Sequence, residues 1–112
     1  MNINNLYSSL DSVVKDKVFY GSNVYDNGTN AEMPFIVYQE VTKRPANYSD
    51  DSPTFYRSSY QITLVTKSKD LLLEEKLEKA LLGASFCFTL VSEYRNEDKS
   101  LNRVYQIEME GL

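Results

Sequence analysis

The sequence predicts an α+β fold: one antiparallel or mixed β-sheet of about five strands with two α-helices packed on one face, in the order α-β-β-β-α-β-β. Two observations carry this. Two segments repeat apolar residues at helical spacing, and the segments between and after them alternate or run apolar over strand lengths. Clusters of Gly, Pro, Asn, Asp and Ser separate them.

Ile3, Leu6, Tyr7, Leu10, Val13 and Val14 form one stripe of an amphipathic helix. Asn2 or Asn4 is placed to cap it, and Lys15 and Lys17 suit its negative end. Val18-Phe19-Tyr20 reads as a short strand stopped by Gly21, followed by a polar loop over 21–34 that contains Asn27-Gly28 and ends at Pro34. Phe35 to Thr42 reads as a strand with apolar residues on both faces, hence expected to be covered on both sides. Residues 43–56 read as a second long loop, because Pro45, Pro53 and the run Ser49-Asp50-Asp51-Ser52 all favour turns. Arg57 to Thr66 alternates, with Tyr60, Ile62 and Leu64 on one face, and is expected to pair antiparallel with the preceding strand.

The second helix spans Asp70 to Leu82, with Ser68 or Asp70 as its cap and Gly83 as its stop. Its inner stripe is Leu73, Leu77, Ala80, Leu81 and Ala84, and Glu75 and Lys79 make an i,i+4 pair. Phe86 to Tyr94 is the next strand, with Phe86, Phe88 and Leu90 on one face. A polar turn over 95–100 leads to the last strand, Leu101 to Met109, with Tyr105, Ile107 and Met109 inward. A chain of 112 residues without an internal repeat is expected to form one domain over 1–112.

Composition narrows the function. The net charge of −4 offers no basic stripe for phosphates. With no histidine and one cysteine, the commonest general base and the cysteine zinc cages are missing, so neither an enzyme nor a metal or cofactor site is expected. The start Met1-Asn2-Ile3-Asn4-Asn5 lacks the basic and apolar regions of a secretion signal, which favours a reducing cytoplasm and no membrane. The adjacent acidic pairs Asp50-Asp51, Glu74-Glu75 and Glu97-Asp98 read as solvated surface, and neither Asp50-Asp51 nor Asp26-Asn27-Gly28 has the ligand spacing of a calcium loop. Cys87 is expected to be a small buried hydrophobe.

Nine tyrosines and five phenylalanines exceed what the core stripes absorb. Tyr7, Tyr60 and Tyr105 fit inward positions. Tyr25, Tyr48, Phe55 and Tyr56 fall in or beside the polar loops, where aromatic rings serve as interface anchors. With Asp50, Asp51 and Arg57 to set register, these residues form the candidate assembly interface. Lys43, Arg44 and Arg57 are too few to make a nucleic-acid groove.

The layout resembles the small tail terminator and tail-completion (tail-to-head joining) proteins of long-tailed bacteriophages. The matching pieces are the first helix, Val18-Phe19-Tyr20, the polar loop, and the entry Met33-Pro34-Phe35-Ile36-Val37-Tyr38-Gln39. Tyr60-Gln61-Ile62-Thr63-Leu64, the helix from Asp70 and two closing strands ending in Tyr105-Gln106-Ile107-Glu108 complete the match. The resemblance implies a homo-oligomeric ring, expected to be a hexamer, that terminates the tail tube and joins the tail to the neck. Its partners would be further copies of itself, a tail tube protein and a neck or head-completion protein. DNA would pass through its channel without specific binding. The location implied is the head–tail junction of a virion, after synthesis in the host cytoplasm. Another neck ring (a head-completion or stopper protein) is the alternative within that class. A ferredoxin-like ligand- or nucleic-acid-binding domain is the alternative outside it.

Overall fold

The computed structural model describes residues 3–21, 32–49 and 52–111, with side chains described for 5–21, 32–44 and 57–109. The elements follow the expected order: α1 (Ile3–Asp11), β1 (Val18–Tyr20), β2 (Phe35–Ser49), β3 (Ser52–Thr66), α2 (Leu71–Gly83), β4 (Phe88–Arg95) and β5 (Leu101–Gly111). They build a five-stranded mixed sheet in the spatial order β1-β2-β3-β5-β4. β1 runs parallel to β2, and the other neighbours are antiparallel.

Strand alternation gives the sheet its two faces. Ile36 and Tyr38 of β2, Ile62 and Leu64 of β3, and Tyr105 and Ile107 of β5 meet Leu6 and Leu10 of α1 and Leu77 and Leu81 of α2 in one buried core. The inner stripe of α2 is the one its spacing predicts, with Leu73, Ala80 and Ala84 packed at its margin. Asp70 caps the helix by accepting a hydrogen bond from the Leu73 amide at 3.1 Å. The chain turns out of α2 through Ser85, whose φ is 68°, while Gly83 is simply the last helical residue. α1 is shorter than its stripe. It ends at Asp11, Val13 and Val14 stay buried in the turn that follows, and Lys15 and Lys17 lie beyond the helix rather than in its last turn.

The main departure lies in 43–49 and 52–56, which are strand rather than loop. β2 continues to Ser49 and β3 starts at Ser52, with paired positions as far as Ser49↔Ser52. Local signals for a loop are overridden because both prolines sit where a strand lacks a second neighbour. β1 covers β2 only at Ile36–Tyr38, so Pro45 has an open side. β5 reaches β3 only as far as Tyr56, so Pro53 has one too. A proline is compatible with a strand at such an edge, where its missing N–H breaks no ladder.

β4 also departs from expectation. It starts at Phe88, with Phe86 buried before it, and Leu90 is exposed rather than inward. A register shift between Leu90 and Ser92 breaks the alternation of this edge strand. Cys87 is exposed, not buried, because Phe86 takes the core-facing position next to it. Tyr7 is partly exposed against the Tyr38 ring, with centroids 6.5 Å apart. β2 is buried on both faces only at its start, at Phe35 and Ile36, and Val41 is exposed.

Truncation at the helix–sheet contact tests this core. Leu77→Ala should destabilise the protein by about 3 kcal/mol, because the cavity left behind adds to the lost transfer energy. Leu72→Ala, on the exposed side of the same helix, should stay within about 0.5 kcal/mol. Urea unfolding of both variants is the measurement, and equal losses would contradict the assigned stripe.

Candidate assembly surface

The β2–β3 hairpin outruns the rest of the sheet. Both strands have 15 residues, against 3 in β1, 8 in β4 and 11 in β5. Ala46–Ser49 and Ser52–Phe55 pair only with each other among the described residues. We call this two-stranded ribbon the arm; the molecule measures 52 × 31 × 25 Å.

Two of the proposed interface residues, Tyr48 and Phe55, fall on the arm, and Tyr56 and Arg57 fall at its base, where β5 also pairs with β3. Tyr48 is opposite Pro53, Phe55 opposite Ala46, Tyr56 opposite Pro45, and Arg57 opposite Arg44. Asp50, Asp51 and Tyr25 lie outside the described residues, as do Asn27 and Gly28. The structure therefore brings Tyr48 and Phe55 onto the projecting element with Tyr56 and Arg57 at its base, and does not place Tyr25 relative to them.

The base of the arm is fixed by phenols. The Glu40 amide donates to the Tyr20 hydroxyl at 3.3 Å, and the Tyr60 hydroxyl donates to Glu40 Oε2 at 3.2 Å. Tyr20 and Tyr38 meet edge to face with centroids 5.1 Å apart. Burial, and then the Glu40 carboxylate, push the Tyr60 phenol up to about 12. Just beyond this anchor β2 carries a bulge between Glu40 and Thr42, a device that bends and twists a strand.

A second polar feature was missed at the sequence level. Glu74, expected as solvated surface beside Glu75, has a side chain only 5% exposed. It faces Arg103, which projects from β5 on the helix-covered face. Lys69 bridges Glu74 Oε1 at 2.9 Å and Glu93 Oε1 at 2.7 Å. Arg103 reaches Glu74 at 3.4 Å, Glu78 at 3.2 Å and Glu93 at 3.0 Å, and its Nε donates to the Tyr105 hydroxyl at 2.6 Å. Tyr105 in turn donates to Glu78 at 2.6 Å. Burial, reinforced by Glu78, holds the Tyr105 phenol well above its usual value. Burial opposes the Arg103 charge, but its bonds to Tyr105, Glu93 and Glu78 outweigh that and raise it. Glu74 Oε2 is buried without a hydrogen-bond partner among the described residues. The network locks α2 across β4 and β5. The signal was present: Glu74 lies three and seven residues before Leu77 and Leu81, and Arg103 shares parity with Tyr105 and Ile107.

The other sheet face holds a cavity of about 450 Å³ bordered by Phe35, Val37, Val65, Asn96 and Asn102. Asp98 is the one titratable residue among its described lining. Its carboxylate accepts from the Ser100 hydroxyl at 2.6 Å and the Ser100 amide at 3.0 Å, which holds it below the usual carboxylate range. That is the chemistry of a turn. Among the described residues no group of three His, Cys, Asp or Glu is placed to hold a metal ion. No described helix is long and apolar enough to cross a membrane.

No protein-family model matches the chain, and no curated protein matches it. Among solved structures, a chain from the virion of a native gene transfer agent (GTA) particle has a similar fold, with a TM-score of 0.52 at 13% sequence identity. The likeness covers 95% of this chain and 92% of that one, so it takes in the whole α-β-β-β-α-β-β layout.

The Arg103 network makes two checkable demands. Arg103→Ala leaves Glu74 to Lys69 alone and takes a cation from Glu78 and Glu93, and should cost about 3 kcal/mol in urea unfolding at neutral pH. Glu75→Ala, which breaks only the exposed pair with Lys79, should leave the midpoint unchanged. The Glu93 carboxyl is held below its ordinary value, chiefly by Lys69 and further by Arg103. A depressed folded-state value gives stability that is present above the unfolded carboxylate range and lost as pH falls through the folded value. Stability should therefore decline from about pH 4 downward, and Glu93→Gln should flatten that acid limb. An acid limb identical in the two proteins would remove Glu93 from the account.

Proposed function

We propose that this chain is a non-enzymatic structural protein of a virion, assembling as a hexameric ring that closes the head-proximal end of a tail tube and joins it to the neck. The observation that carries the reading is the whole-length likeness of fold to a chain of a gene transfer agent virion. The resemblance of the sequence to tail terminators supplies the position, and the arm supplies a means of reaching a neighbour. A rotationally symmetric ring repeats one heterologous contact until it closes. An element that projects from one side of a protomer suits such a contact. A tail tube protein would meet one rim and a neck protein the other, with DNA passing between.

The acidic balance is compatible with passage of DNA. Every phosphate contact made by Lys or Arg adds salt-dependent affinity, and many such contacts would hold the duplex in place. With 16 acidic and 12 basic side chains, the channel is expected to be neutral or acidic. A channel lined mainly by Lys and Arg would contradict the proposal.

Two experiments test it. Imaging of the native particle should show six copies in a ring at the head–tail junction. A single copy, or a ring on the portal side of the neck, would overturn the tail-terminator assignment, the second outcome favouring a stopper. Separately, Ala46–Phe55 can be replaced by Asn-Gly, which turns the chain directly between the paired Pro45 and Tyr56. The shortened protein should fold with the stability of the parent but fail to yield joined particles. Normal yields would remove the arm from the assembly surface and make 21–34 the next segment to test.

A further inference from the structure

The sheet has two open edges, and they are unlike. The outer strand β4 carries a bulge but neither a proline nor a lysine. β2 is covered by β1 only at Ile36–Tyr38, and beyond that its outer side meets no other strand among the described residues. An open edge offers a row of backbone donors and acceptors to any extended chain, and proteins protect it with bulges, charge, proline or a cover.

The hydrogen bonds to β1 fix which residues of β2 turn their backbone outward. The Ile36 amide donates to the Lys17 carbonyl at 2.9 Å, and the Tyr38 carbonyl accepts from the Gly21 amide at 3.0 Å. These two residues lie opposite Leu64 and Ile62 of β3. The pairing of β3 runs on without a break to Tyr56, so the β2 residues opposite Tyr60, Ser58 and Tyr56 are turned outward as well. They are Glu40, Lys43 and Pro45.

We propose that Tyr20, Lys43 and Pro45 close this edge of β2 to strand addition, with Tyr20 guarding the point where β1 stops. β1 ends at Tyr20, but its side chain carries on in place of the strand: the hydroxyl accepts from the Glu40 amide at 3.3 Å. The residue is 59% exposed, yet its ring is held edge to face on Tyr38 with centroids 5.1 Å apart. Burial explains so exposed a ring poorly, whereas its hydroxyl occupies the first donor that an arriving strand would need. The bulge between Glu40 and Thr42 then breaks the spacing of the edge. Lys43 follows, an exposed cation that pairing would have to desolvate. Pro45 has no N–H to offer. Every outward position from Glu40 to Pro45 is thus guarded, each by a different means. A neighbour can then meet the base of the arm through a face of the ribbon but not by extending the sheet along this edge.

Amide hydrogen exchange and sedimentation test the closure. Tyr20→Phe keeps the ring and removes the acceptor. The Glu40 amide should then exchange about fivefold faster, the loss of one ordinary hydrogen bond, with the urea midpoint and the Ile36 amide unchanged. An unchanged Glu40 rate would take Tyr20 out of the account and overturn the inference. The second test opens the whole edge by combining Tyr20→Val, Lys43→Thr and Pro45→Thr. Over a range of concentrations this variant should sediment with a larger mass than the parent. In the larger species the Glu40 amide should be protected again, this time by a neighbouring strand. A variant with the parent's urea midpoint and the parent's mass would overturn the closure, as would larger species that leave Glu40 unprotected. Should the triple variant fail to fold, the milder pair Tyr20→Phe with Pro45→Thr carries the same comparison. The reference is the parent in whatever state of assembly it adopts, so this inference and the ring reading stand or fall separately.

Discussion

The β2–β3 pairing is the constraint on which the rest of the structure depends. At about 3.3 Å per residue, a strand of this length spans roughly 50 Å, close to the longest dimension of the molecule, 52 Å. Helices of 9 and 13 residues cannot cover such a ribbon. An α-helix rises only about 1.5 Å per residue, so both fit over its inner half. Everything compact is arranged there, with β1 and β5 on either side and β4 outside β5. Only the outer end, Ala46–Ser49 with Ser52–Phe55, is left as a two-stranded ribbon, a form that is marginal by itself. The division between a packed body and an unsupported arm follows from strand length.

Within the body, the α2–sheet contact combines two kinds of interaction that are not interchangeable. Leu77 and Leu81 give non-directional burial, which would tolerate some sliding of the helix. The Arg103 network removes that freedom. A planar guanidinium facing three carboxylates and a phenol accepts few alternative placements. A buried ionic cluster adds little net stability, because desolvation offsets attraction. Its contribution here is register, which matters most where α2 meets the edge strand and few apolar contacts are available.

Much of the fold was legible from local pattern. The α2 stripe, the β3 and β5 alternation and the turn over 95–100 needed only spacing and turn chemistry. What escaped depended on neighbours. Pro45 and Pro53 argue for a loop until the extents of β1 and β5 are known, and only then do they become edge residues. The bulges at Val41 and Val91 leave no mark in the residue pattern. Glu74 was set aside as surface because carboxylates seldom bury, although its position on the inner stripe and the parity of Arg103 together pointed to a paired charge. Cys87 was assigned by residue type rather than by parity with Phe86, and parity was the better guide. Of the candidate interface, Tyr48, Phe55, Tyr56 and Arg57 were chosen for lying in a long connection. Tyr48 and Phe55 occupy the projecting element, and Tyr56 and Arg57 its base, for a different reason, the length of the hairpin.

An arm of this kind has a consequence for how assembly is controlled. A monomer carries its two unlike edges apart, on opposite sides of the sheet order, so one copy cannot satisfy its own edges. Proline restricts the conformations open to the unpaired ribbon, which lowers the ordering cost when a partner arrives. The net negative charge acts the other way, since like-charged copies repel at a distance and that repulsion is screened within about 8 Å at physiological salt. If copies meet through an open edge, short-range strand pairing set against this repulsion would favour a contact that forms only once the edges are already aligned.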